Sequence, residues 1–91
     1  MSSAHVIISG FVIGIGFRAF IKSKAKDLDL EGWVANTNDG KVEALFVGDK
    51  DKIEQAIKEC WKGPFLADVT DVKVQWKEKD SDDIIGFNII K

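Results

Sequence analysis

Cysteine, histidine and proline each occur once in this 91-residue sequence. A single cysteine, Cys60, excludes an internal disulfide and with it the stapled design of small secreted domains, so a reducing cytoplasm is the expected location. Cys60 also falls on the apolar stripe of an expected helix, where it reads as a buried, inert thiol. His5 lies in an expected strand, and one histidine leaves too little for a zinc centre or a cysteine–histidine pair. No metal and no cofactor are therefore expected. Low-complexity runs, linkers and internal repeats are missing, which leaves one domain over residues 1–91 and only Met1 to Ala4 as a loose end. One core of this size cannot build two lobes around a cleft, so function must sit on a loop or a sheet edge. Long apolar runs are missing too. The run Val6 to Phe17 falls short of the about 20 residues that a membrane span needs, and it has neither a lysine nor an arginine before it and no small-residue cleavage site after it. A soluble, uncleaved protein without membrane contact is expected. Finally, the net charge of −2 lacks the basic excess of a general nucleic-acid binder.

What is present is glycine at a strand-to-helix joint. In Gly10-Phe11-Val12-Ile13-Gly14-Ile15-Gly16-Phe17-Arg18 the glycines permit positive φ and leave no side chain in the way, so successive N–H groups can turn toward one anion. The helix that follows adds its own free N–H groups and the positive end of its dipole, and Arg18 adds a planar fork matching two phosphate oxygens. The plainer alternative is a packing turn with a solvated arginine. The spacing lacks the third glycine of a dinucleotide fingerprint and the Gly-Lys-Ser/Thr ending of a nucleotide P-loop, so neither of those ligands is indicated. Charge is uneven along the chain: up to Lys26 the charged residues are Arg18, Lys22, Lys24 and Lys26, whereas Glu78 to Asp83 is mostly acidic. That asymmetry can steer a small anion to the first loop, although lysines on an outer helix face are commonly just solvated.

The periodicities outline the fold. His5 to Phe11 reads as a strand; Phe17, Phe20, Ile21, Ala25 and Leu28 recur at helical spacing. Gly32 to Thr37 and Lys41 to Val47 are strand-like and joined by Asn38-Asp39-Gly40, which has hairpin-turn chemistry. A second helix carries Ile53, Ala56, Ile57 and Cys60 on one face, begins at Asp49 or Asp51 and stops at Gly63-Pro64. Val69, Val72, Val74 and Trp76 suggest a fourth strand, and Ile85, Phe87 and Ile89 a fifth. The expected fold is an α+β, ferredoxin-like split βαβ sandwich: β-α-β-β-α-β plus a C-terminal strand, with both helices on one face of a mainly antiparallel sheet. Trp33, Trp61 and Trp76 read as core or edge packing rather than a stacking platform.

Three segments resemble the acylphosphatase family. Residues 10–18 are similar to its phosphate loop G-x-V-Q-G-V-x-F-R. Residues 32–42 followed by Gly48 match its second signature, G-W-V-x-N-x-x-x-G-x-V-x-x-x-x-x-G. Gly63-Pro64-Phe65-Leu66-Ala67-Asp68-Val69-Thr70-Asp71-Val72 agrees with the G-P-x-x-A-x-V-x-x-V pattern usual after the second helix. The resemblance implies hydrolysis of acyl phosphates to a carboxylate and inorganic phosphate, without metal or organic cofactor. It also implies phosphate binding by the loop Val12, Ile13, Gly14, Ile15, Gly16, Phe17 and Arg18, with Arg18 and Asn36 as the catalytic pair: Arg18 on the phosphate, Asn36 on the attacking water. The expected partners are a small acyl phosphate and inorganic phosphate, with a monomer as the expected state. Ile13 stands where the family has glutamine and Ile15 where it has valine; Asp29 stands where a glycine often ends the first helix. The first departure keeps a second reading open, a noncatalytic module binding phosphate or a carbamoyl-phosphate-like ligand, similar to the acylphosphatase-like domain of hydrogenase-maturation carbamoyltransferases. An RNA-binding reading of Gly14-Ile15-Gly16-Phe17-Arg18-Ala19-Phe20 is opposed by the net acidity and by aromatics placed on a helix.

Overall fold

Alternation in the strands and a 3.6-residue period in the helices place one apolar surface on each element, and these surfaces meet in a two-layer structure. The computed structural model describes residues 1–78 and 84–91; the acidic run noted above therefore lies, beyond Glu78, outside the described residues. In chain order the elements are β1 (Ser2–Phe11), α1 (Phe17–Asp27), β2 (Glu31–Asn36), β3 (Val42–Gly48), α2 (Lys50–Lys62), β4 (Asp68–Glu78) and β5 (Phe87–Ile89). The sheet order is β4-β1-β3-β2-β5. The β1/β3, β1/β4 and β2/β3 pairs are antiparallel and β2/β5 is parallel. This is the expected ferredoxin-like α+β arrangement with its additional strand.

The core forms where both helices cover one sheet face. Phe17, Ile21 and Ala25 of α1 and Ile53, Ala56 and Cys60 of α2 are buried together with Ala4, Val6 and Ile8 of β1, Val34 of β2 and Phe46 of β3. Each fully buried Val, Ile or Phe contributes about 1.5–3 kcal/mol. On the other face, His5 contacts Glu43 across the strands at 2.6 Å and meets the Trp33 ring edge-on at 6.1 Å between centroids.

Several expectations need correction. Ser2 to Ala4 is no loose end: these residues extend β1 and are buried between β3 and β4, with Ser2 opposite both Gly48 and Glu78. Serine and alanine are weak strand formers, but pairing on both sides overrides that preference. β5 is shorter than the alternation of Ile85, Phe87 and Ile89 suggests. Only Phe87 is buried, stacked 5.6 Å from Phe46, while Ile85 is 85% exposed. Trp61 is 49% exposed on α2 rather than packed away. Trp76 lies on edge strand β4 with Lys50 Nζ 5.6 Å from its ring centre. The departure at Asp29 is tolerated as expected: the residue adopts φ 55° just after α1, in the left-handed region that Asp enters more readily than most residues. Among the described residues no helix is long and apolar enough to cross a membrane.

Candidate active site

The end of β1 is bent so that the loop leaves the sheet. Pairing of β1 with β4 shifts register between Ser9 and Gly10, and Gly10 takes φ 125°. A Cβ there would stand 2.2 Å from the carbonyl oxygen of Asp68, so only glycine lets β4 approach this closely. Past the bend, Val12 is buried and Ile15 packs against the core, which anchors the loop from beneath.

Between these anchors the backbone alternates in sign. Gly14 and Gly16 have φ 80° and 82°, whereas Ile13 and Ile15 keep negative φ. Such alternation turns successive N–H groups to one side, forming an anion-binding concavity. Both glycines face open space, so here glycine serves conformation rather than close packing. Among the described residues, no protein acceptor takes a hydrogen bond from the amides of residues 13–16. α1 then begins at Gly16 with no side-chain cap and no acidic residue in its first turn, which leaves the positive end of the dipole available. Gly63, the C-cap of α2, has φ 67°, and a Cβ on it would lie 2.9 Å from the Phe17 ring. The stop signal of α2 thus supports the start of α1.

Arg18 is the second residue of α1. Its Nη1 donates to the carbonyl oxygen of Lys91, leaving the rest of its fork for a ligand. Asn36 ends β2, its backbone opposite Val42 of β3. The turn after it is firmly built: Thr37 N donates to Lys41 O at 2.8 Å, Lys41 N to Thr37 Oγ1 at 3.0 Å, and Thr37 Oγ1 to Asp39 Oδ1. The Thr37 hydroxyl holds the Asp39 carboxyl below its ordinary pKa. Asn36's own amide group has no hydrogen-bond partner among the described residues, so both its donor and its acceptor remain for a ligand.

These pieces border one cavity of about 330 Å³, lined by Val12, Gly14, Gly16, Phe17, Arg18, Ala19, Asn36 and Ile89. Ile13, 38% exposed, and Ile15 do not line it. Arginine, amide and backbone N–H form a donor set for an oxyanion; the lining offers no carboxylate, thiolate or imidazole to a metal. Sequence reasoning missed Ile89 and Lys91. An apolar residue in a terminal strand reads as core, and no sequence signal marks a backbone carbonyl that will hold an arginine.

A profile of the Acylphosphatase family matches residues 4–89. An acylphosphatase of a Roseiflexus species is 42% identical over 90 residues, covering 99% of this chain and 96% of that one. The acylphosphatase structure from Bacillus subtilis superposes with a TM-score of 0.95 at 31% identity, covering 100% of both chains. The chain belongs to the acylphosphatase family. As an acylphosphatase it hydrolyses acyl phosphates. The fold recurs inside larger proteins. In full-length HypF, in its phosphate- and nucleotide-bound form, the match has a TM-score of 0.82 at 26% identity and takes up 12% of that chain.

Proposed function

We propose that the phosphoryl group of the acyl phosphate sits in the loop formed by Val12, Ile13, Gly14, Ile15, Gly16, Phe17 and Arg18, and that Asn36 positions the attacking water. The observation that carries this reading is the meeting around one cavity of Arg18, the glycine loop and the Asn36 amide, which has no partner among the described residues.

Little further equipment is needed. The leaving carboxylate has a conjugate-acid pKa of about 4, so it departs without being protonated. Charge in a loose phosphoryl-transfer transition state collects on the oxygens around phosphorus, where the loop N–H groups and Arg18 stabilise it. The water oxygen bonds to phosphorus as the bond from phosphorus to the acyl oxygen breaks, and the electron pair leaves with the carboxylate. Asn36 accepts a hydrogen bond from the water and donates one to the phosphoryl group, but it is too weak a base to deprotonate water. The proton passes to a phosphoryl oxygen. The Lys91 carbonyl holds Arg18 in place before substrate arrives, which lowers the ordering cost on binding. The part assigned to Ile13 is that of its backbone N–H, since its side chain has no donor. A monomer in the reducing cytoplasm fits this scheme, since the sole cysteine is buried on α2.

The test is hydrolysis of benzoyl phosphate in the presence of a chelator. Arg18→Ala is expected to lose at least about 10²- to 10³-fold in kcat, and Asn36→Ala to lose turnover while still binding inorganic phosphate, as a direct binding measurement would show. A folded wild-type protein without turnover would instead leave a phosphate-binding module.

A further inference from the structure

Ala19 and Ile89 line the cavity just described. Those two residues also line a second concavity of about 390 Å³, bounded by Lys22, Ser23, Lys26 and Asp27 along α1. The two spaces thus share an apolar wall. Arg18, Lys22 and Lys26 are spaced by four, so they share one helix face, each about 6 Å beyond the last along the axis. Lys24, off this line, is engaged: it pairs with Glu59 at 3.7 Å and lies over the Phe20 ring. Lys22, half-buried, and Lys26 have no acidic partner within ion-pair distance among the described residues. Asp27 is the sole acid of the lining, at the end farther from Arg18.

We propose that this groove receives the acyl part of the substrate, and that Lys22, with Lys26 one turn further on, selects acyl phosphates bearing a second negative charge on the acyl group. The inference rests on placing the phosphoryl group at Arg18. With the phosphate anchored there, the acyl chain has an apolar step to cross and a cation one turn away, the reach of a dicarboxylic acyl phosphate. Aliphatic and aromatic monocarboxylic acyl groups fill the same groove without meeting Lys22. Because Lys22 is partly exposed, its effect on selection is modest and falls with ionic strength.

The experiment compares kcat/KM for 4-carboxybenzoyl phosphate and for benzoyl phosphate, and follows their ratio in the wild type, Lys22→Gln, Lys22→Glu, Lys26→Gln and, as a net-charge control, Lys58→Gln on α2. The ratio cancels intrinsic reactivity, and benzoyl phosphate turnover reports folding. We expect the ratio to fall about 2- to 5-fold in Lys22→Gln, further in Lys22→Glu, less in Lys26→Gln, and to stay constant in Lys58→Gln. Added salt should lower the wild-type ratio toward that of Lys22→Gln. A ratio that does not move in the Lys22 variants, or moves equally in Lys58→Gln, overturns the groove assignment while leaving the phosphate site standing. Absence of benzoyl phosphate hydrolysis by the wild type overturns both.

Discussion

The two helices begin in opposite ways. α2 starts at Asp49 in extended conformation with Asp51 in its first turn, whereas α1 starts at the left-handed Gly16 with no acid in its first turn and an arginine second. Acidic residues near a helix N-terminus satisfy the dipole within the chain. α2 also lacks a side-chain cap, but acidic charge at Asp49 and Asp51 offsets its dipole within the chain, and its apolar face packs on the core. At α1 the same positive end is left open, and among the described residues amides 13–16 have no acceptor and the side-chain amide of Asn36, which lines the same cavity, has no partner. The start of α1 forgoes local stability that an anion would restore.

Among changes that test this contrast, the largest expected effect comes from giving α1 the kind of start that α2 has. Ala19→Asp should lower kcat/KM for benzoyl phosphate about 10- to 100-fold through repulsion of the phosphoryl group. Thermal denaturation should meanwhile show an unchanged or slightly raised Tm. A variant that keeps full activity would remove the contrast between the helices.

Gly16→Ala comes next. A Cβ meets nothing within 4 Å there, so the cost is the left-handed conformation alone, about 1–2 kcal/mol. Urea denaturation should report that loss, and activity should drop with it because the alternating backbone is disturbed.

The inert interior of α2 gives a prediction in pH. Burial pushes the Cys60 thiol up to about 12 from an ordinary value of 9.0. Above pH 9 the unfolded chain gives up this proton while the folded chain keeps it. The stabilising contribution is thus complete below pH 9 and is lost as pH rises toward 12, by about 1.4 kcal/mol per pH unit. Denaturant curves at successive pH values should show this extra slope in the wild type and not in Cys60→Ala. Equal slopes would place the thiol in contact with water.

The smallest effect tests α2 directly. Asp51→Asn should cost about 0.3–1 kcal/mol of stability and leave benzoyl phosphate turnover unchanged.

Most of the candidate site was legible in the sequence because its chemistry is local. Gly14, Gly16 and Arg18 occupy one loop and one turn, and positive φ at a glycine is a property of that residue's own backbone. Asn36 was legible only through the resemblance of residues 32–42 to a family signature; by itself it reads as a residue bonded to a nearby turn. The helices followed from their periodicity. The strand ends did not, because Ser2 to Ala4 are held by β3 and β4 rather than by their own preferences, and β5 is limited by which residues reach β2.

The sequence by itself determined the helices, the hairpin turn, the glycine conformations and the donor groups that Arg18 and the loop amides carry, since each depends on residues within one or two turns of chain. Tertiary structure alone decided that Asn36 and Arg18 line one cavity, that Ile89 walls it, that the Lys91 carbonyl holds the guanidinium, and that Lys22 and Lys26 border a second concavity sharing that wall. Those relations join residues more than 15 positions apart, or set a helix face against a strand, and only packing both helices on one sheet face creates them.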